Sequence, residues 1–374
     1  MTLKFAPSTD DPRDRLPGLV AVLEDGLGKL HTGVQVYISR HGRPIADFGL
    51  GESRPGVAMT PDLIVPWLSA GKPLTAVAVL RECERGQVPL DAPIAEFLPE
   101  FAAGGKHDIT LRHVLTHTSG FRMVDTGWPD VDWDESVRRV CASEIEPGWI
   151  PGERAGYHVA SSWIILGELV SRWLRCPVIE AIRSLIFDPL SMTRSHCGMS
   201  PELWRSLENQ IGGIVQREKG TLQQTEWHTE KWCTAASPAS NCRGPVRELG
   251  WFYESLLGLR GTVPLGEEML SRFSSRQRVG MFDETLQHVV DFGLGVIVDS
   301  NRNGRDTVPY GYGPFCSERT FGHGGSQCSI GFADPVHGLV VCWAANGRPG
   351  EPQHQRRNRA INEAIYRDLA LAAN

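Results

Sequence analysis

The chain has 374 residues, 41% of them hydrophobic and 22% charged, with a formal net charge of −6. That length and balance describe a globular protein with a large core. The acidic excess leaves no electrostatic footprint for nucleic acid or an anionic membrane surface, and no apolar run is long enough to span a bilayer.

Taken in order, Met1 to Arg15 is polar and carries Asp10, Asp11 and Asp14. It lacks the basic and apolar regions of a secretory signal. The nine cysteines are scattered without a C-x-x-C pair. Free thiols in a reducing, cytoplasmic setting are the expectation. Leu16, Val20, Leu23, Leu27 and Leu30 have helical spacing and predict a helix over 16–30. Val34, Val36 and Ile38 alternate, His41-Gly42-Arg43-Pro44 breaks the pattern, and a second apolar segment runs from Ile45 to Leu50. That pattern predicts a β-hairpin.

Ser69-Ala70-Gly71-Lys72 comes next. Residues three apart at a helix start lie on one face, so a hydroxyl and an amine meet one turn apart. An amine so placed can activate a serine for acyl-enzyme chemistry. A capping serine with a surface lysine reads the same way. Pro66 and Pro73 flank the pair. Proline is tolerated in a first helical turn, so Ser69 is expected at a helix N-terminus, where the dipole favours developing negative charge.

The middle, about 70 to 285, reads as helices and loops. Strands are expected at Asp291–Ser300, Ser326–Ala333 and Leu339–Ala345, the last two joined at Pro335-Val336-His337-Gly338. Ile361, Ile365 and Leu369 predict a closing helix. A sheet built from the two chain ends then brackets a helical insert: a body of about 1–70 and 286–374, a subdomain of about 71–285, and a site in the seam.

Rival motifs fail on their spacing. His113 and His117 could share a helix face, but no glutamate adjoins His113 and no third ligand stands near. Gly71-Lys72 is not a phosphate loop, because Pro66 and Pro73 occupy key places. Gly324-Gly325-Ser326-Gln327-Cys328 lacks the last glycine of a nucleophile elbow. No metal or cofactor is expected.

Further stretches give the Ser-Lys pair its context. They are Leu90-Asp91, Phe97-Leu98-Pro99-Glu100-Phe101, and Ile109-Thr110-Leu111-Arg112-His113-Val114-Leu115-Thr116-His117-Thr118-Ser119-Gly120. Pro151-Gly152-Glu153 with Tyr157, Ile165-Leu166-Gly167-Glu168 and Phe187-Asp188-Pro189-Leu190-Ser191-Met192 follow. Phe321-Gly322-His323-Gly324-Gly325 then leads into Gly331-Phe332-Ala333-Asp334-Pro335. On these residues the chain resembles the serine β-lactamase and penicillin-binding protein superfamily, in its class C β-lactamase-like esterase and acyltransferase branch.

The resemblance implies an α+β fold of the β-lactamase/transpeptidase type: an antiparallel sheet flanked by helices, with the inserted helical subdomain. It implies Ser69 as nucleophile, Lys72 as base and Tyr157 as proton relay. The backbone N–H groups of Ser69 and Ser326 would form the oxyanion hole. His323, Gly324, Gly325 and Val159 would meet substrate, the paired glycines allowing close approach to the backbone. Two departures bear on activity. Tyr157-His158-Val159 lacks the asparagine usual two residues after the tyrosine, and His323-Gly324-Gly325 replaces Lys-Thr-Gly. Both favour an esterase or a transacylase of specialised metabolism over a β-lactamase or D-Ala-D-Ala peptidase. The expected partners are a small-molecule acyl donor and an amine or alcohol acceptor. A non-catalytic binding member of the fold is the rival from another class. The tryptophans, Trp128, Trp133 and Trp149 among them, are expected in the core or as walls of an apolar acyl site.

Overall fold

The computed structural model describes residues 11–372; the first ten residues of the polar N-terminal segment lie outside them. Helix α1 (Pro17–Gly26) opens the body, earlier in its stop than the predicted 16–30. Gly26 packs so tightly on His31 that a Cβ there would sit 2.3 Å from the imidazole, and Gly28 turns the chain at φ +73°. The predicted hairpin forms as β1 (Gly33–Arg40) and β2 (Arg43–Arg54), with Val36 opposite Phe48. A short edge strand, β3 (Val57–Ala58), follows. Helix α2 (Lys72–Gly86) starts just after Ser69, and α3 (Ser161–Leu174) packs against it through buried Trp163, Ile164 and Leu166.

Helix α4 (Val246–Leu256) belongs in sequence to the expected insert, yet it packs on the sheet, with Leu249 and Tyr253 in one core with Tyr37, Val340 and Cys342. The expected strand over Asp291–Ser300 shrinks to β4 (Ile297–Val298). Gly293 and Gly295 fold the chain back, Gly293 N–H bonding Val296 O, before pairing begins. β5 (Phe321–Gly325), β6 (Ser329–Asp334) and β7 (Leu339–Ala345) complete the sheet, and α5 (Glu351–Asp368) closes the chain.

The sheet order is β4-β5-β6-β7-β1-β2-β3, antiparallel throughout, with Val36 beside Trp343 and His323 beside Gly331. The two chain ends therefore meet at β1 and β7, as the sequence pattern requires. Alternation assigns the faces. Val34, Val36, Ile38, Val341 and Trp343 face α1 and α5, while Tyr37, Val340 and Cys342 face α4. Both faces are buried, so the strands are apolar on both sides. The middle segment is not only helices and loops. It holds a small sheet of Val65–Pro66, Cys242–Gly244 and His196–Cys197, and the hairpin Val215–Glu218/Thr221–Gln224 that extends Gly347–Arg348. All nine cysteines are free thiols.

Candidate active site

Ser69 lies in a single 3-10 turn, Leu68–Gly71, that runs directly into α2. Pro73 occupies the first turn of α2, while Pro66 sits in the short strand before it. Leu68 takes φ +52°, a conformation that costs a side chain about 1–2 kcal/mol. Tertiary contacts hold it there. Trp67 N–H bonds Cys242 O, and Trp67 O accepts from Ser329 Oγ at 2.5 Å. The glycine of the Ser-x-x-Lys stretch has a packing reason, since a Cβ on Gly71 would fall 2.4 Å from Cys242 Cβ.

Lys72 is fully buried. Its Nζ stands 3.2 Å from Ser69 Oγ and donates to Val159 O at 2.7 Å and Ala239 O at 2.8 Å. Its other neighbours are the rings of Trp163 and Tyr157, with centroids 5.4 and 5.5 Å away. Desolvation without a carboxylate contact drives its pKa well below the ordinary lysine value. Where a Tyr-x-Asn sequence would place a side-chain amide, this chain has Val159, whose main-chain carbonyl accepts from the lysine. The Val159 side chain is exposed and borders the cavity.

Tyr157 follows Gly156 in a loop pinned at both sides: Gly156 N–H bonds His117 O, and Tyr157 N–H bonds Asp283 Oδ1 at 3.0 Å. Its hydroxyl is buried and makes no hydrogen bond of ordinary geometry within the protein. Burial pushes the phenol above its usual pKa, partly offset by the nearby Ser69 hydroxyl. His158 turns away from the site. It donates from Nδ1 to Gly156 O and accepts at Nε2 from Ser119 Oγ and Phe121 N–H. His117, once a metal candidate, is buried with its ring centroid 4.7 Å from that of Tyr157, while His113 closes a capping box with Thr110.

His323, Gly324 and Gly325 lie on β5 rather than before a strand, and Ser326 falls in the turn between β5 and β6. The strand predicted to begin at Ser326 begins at Ser329 instead. The His323 ring centroid is 5.7 Å from that of Tyr157, and burial lowers its pKa to about 3, so it is a neutral imidazole. Its Nδ1 meets Gly324 O at 2.7 Å, which leaves Nε2 as the acceptor nitrogen. The glycine pair makes room for the protein itself. A Cβ on Gly325 would lie 2.3 Å from Trp67 O, and one on Gly324 would lie 2.4 Å from the Tyr310 ring. The first contact abuts β5 on the turn that carries Ser69.

These residues share one open cavity of 520 Å³, bordered by Ser69, Tyr157, Val159, His323, Gly324 and Ser326. Lys72 and Gly325 are not among its lining residues, though Lys72 touches Ser69, which is. The remaining wall has no counterpart among the sequence expectations: it includes Thr285 to His288, Tyr310, and Glu351 and Gln355 of α5. No local pattern marks these residues, which reach the cleft only through tertiary packing. No tryptophan is among the cavity-lining residues. Trp133 bonds Glu168 Oε2, Trp149 bonds Thr118 O, and Trp128 packs against Trp227 at a tilt and edge-on against Trp232.

Comparison with known proteins agrees with this architecture. "Esterase EstB" of Burkholderia gladioli is 31% identical over 182 residues, covering 43% of this chain and 45% of that protein's length. "Esterase/beta-lactamase LipL" of Mycobacterium tuberculosis is 27% identical over 350 residues, covering 85% of this chain and 78% of its own. The solved structure described as "EstCE1, a hydrolase with promiscuous acyltransferase activity" superposes with a TM-score of 0.78 at 17% identity, over 95% of this chain and 99% of that one. At that identity the likeness is one of fold. The family model described as Beta-lactamase matches residues 21–366, nearly the whole length over which sheet, insert and cleft are built, and the chain therefore belongs to the beta-lactamase family.

Proposed function

We propose that this protein is a serine acyl-enzyme catalyst acting on esters or related activated acyl groups. The observation that carries the reading is the 3.2 Å approach of a desolvated Lys72 amine to Ser69 Oγ. With two of its positions committed to the Val159 and Ala239 carbonyls, a neutral amine turns its lone pair toward the serine hydroxyl. Lys72 then takes the proton as Ser69 Oγ attacks the acyl carbonyl, and the tetrahedral oxyanion is met by the N–H groups of Ser69 and Ser326.

The two shifts divide the labour. Lys72 is held toward its neutral form and Tyr157 toward its protonated phenol. This makes lysine the base toward Ser69 and tyrosine the proton donor to the leaving group, the phenolate so formed taking the acceptor's proton in the second half while Lys72 returns its proton to Ser69. Collapse of the intermediate expels the alcohol with that proton. Water, or an amine or alcohol, then attacks the acyl-serine by the reverse path.

Fluorophosphonate labelling tests the reading, with covalent mass gain at Ser69 expected and loss of labelling in Ser69→Ala. Absence of labelling in the native protein would overturn it. Incubating an acyl ester with and without an amine separates the two fates of the acyl group, since amide forming faster than free acid marks transfer.

A further inference from the structure

Among the residues that line the cavity, Glu351, the first residue of α5, is the one acidic side chain, and no lysine or arginine is among them. It is oriented by two donors. Gln327 Nε2 bonds Oε1 at 3.1 Å, and Tyr310 OH bonds Oε1 at 3.2 Å and Oε2 at 3.3 Å. Those donors are themselves anchored: Gln327 Oε1 accepts from Gly350 N–H, and Tyr310 N–H bonds Gln355 Oε1. Among the described residues no lysine, arginine or histidine pairs with Glu351 in a salt bridge. The guanidinium nearest in sequence, Arg348, reaches Gln216 Oε1 and Ser326 Oγ and does not itself line the cavity.

The wall that Glu351 shares carries aromatic and apolar residues, Tyr310, Tyr157, Pro309 and Pro352, beside neutral polar ones such as Gln355 and Thr307, with His323 uncharged. A fixed carboxylate on a cavity wall that also carries tyrosine side chains is a setting for an ammonium group, held first by charge. A glutamate in a first helical turn also complements the helix dipole. That role is indifferent to what occupies the cavity.

We infer that the cavity selects substrates bearing an ammonium-type cation, with Glu351 as its counter-charge, and that it disfavours substrates bearing a carboxylate. This rests on the acyl-enzyme reading above. The cation belongs to the leaving or accepting group in one version and to the acyl chain in the other. The test therefore has two arms.

Butyrylthiocholine is compared with the thioester in which carbon replaces the ammonium nitrogen. A trimethylammonio-butyryl ester is compared with its carbon isostere in the same way. A kcat/KM ratio of about tenfold in favour of the cation is expected in at least one arm, shrinking as salt is raised. The ratio should fall toward one in Glu351→Gln and drop below one in Glu351→Lys, an inversion that loss of folding cannot produce. Equal rates in both arms, or a preference that survives in Glu351→Gln, would overturn the inference. If no ester is hydrolysed and Ser69 resists fluorophosphonate, the acyl-enzyme reading fails separately. Calorimetric binding of choline against its carbon isostere then decides the charge question, with equal affinities counting against Glu351.

Discussion

A buried amine whose hydrogen bonds all go to neutral oxygens has one obvious consequence for its ionisation. Lys72 is depressed by desolvation, so the active, neutral form is populated at lower pH than for an exposed lysine. The kcat/KM for a neutral ester should rise with pH through one ionisation below the ordinary lysine range, then level off. A stopped-flow pH series checks this. Because His158 and His323 are lowered to about 3, and His117 well below its usual value, none of these three should contribute an inflection near neutrality. Removing the base or the relay should cost what general acid–base catalysis contributes. Lys72→Ala and Tyr157→Phe should each lose about 10²–10⁴ in kcat, with fluorophosphonate labelling slowed in Lys72→Ala. At this scale the sequence spacing was informative, because Ser69 and Lys72 share a helical turn and their meeting needs no tertiary knowledge. The lysine's other partners were not legible. Val159 and Ala239 act through carbonyls, which every residue carries, so no side-chain motif could mark them.

Among the elements, the hairpin around residues 282–289 has the most leverage on the cleft. Its turn supplies Thr285, Leu286 and Gln287 to the wall and its second strand His288, and Asp283 ties it down. The Asp283 carboxylate accepts from the N–H groups of Tyr157, Thr285 and Leu286 and pairs with Arg278, both side chains buried. One aspartate thus sets the tyrosine loop and the cavity wall together. Asp283→Ala should leave the Arg278 charge buried and unpaired, at a cost of about 3–5 kcal/mol read by denaturant unfolding. It should also lower kcat more than Ser69 labelling geometry alone would suggest, because Tyr157 loses its anchor. An unchanged unfolding midpoint would contradict this account. The sequence pattern gave the long strands and the closing helix, whose apolar residues repeat over many positions. It overran at Asp291–Ser300, where two glycines turn the chain within an otherwise strand-like run, and it missed the short paired segments, which are too brief to show a period.

Taken whole, the molecule carries neutral histidines in several separate places. His31, His158, His196, His323 and His354 are each lowered to about 3, burial being the largest cause in every case. The unfolded chain takes up these protons below about pH 6.5, and the folded one does so only near 3. Their contribution is intact above the unfolded value and is lost as pH falls toward the folded one. Each histidine can remove about 1.4 kcal/mol per pH unit in that window. Five together exhaust a stability of about 5–15 kcal/mol within about two units. Acid titration followed by circular dichroism should therefore show cooperative unfolding well above pH 4, and persistence of the fold to pH 3 would refute it. The two-ended sheet was readable at this scale because both termini carry strand alternation. The packing of α4 on that sheet was not, since a helix from the middle of the chain bears no mark of which layer it will join.

The clasp of Lys72 on Val159 and Ala239 has an evolutionary corollary. The lysine bolts two distant stretches of chain to the start of α2, so deleting it strands two carbonyl acceptors at about 1–3 kcal/mol each. Ser69 supports nothing comparable. A descendant drifting toward a purely non-enzymatic life could surrender its alcohol at little architectural expense while remaining obliged to keep the amine. Retention of lysine alone is thus a poor witness to surviving chemistry in this lineage.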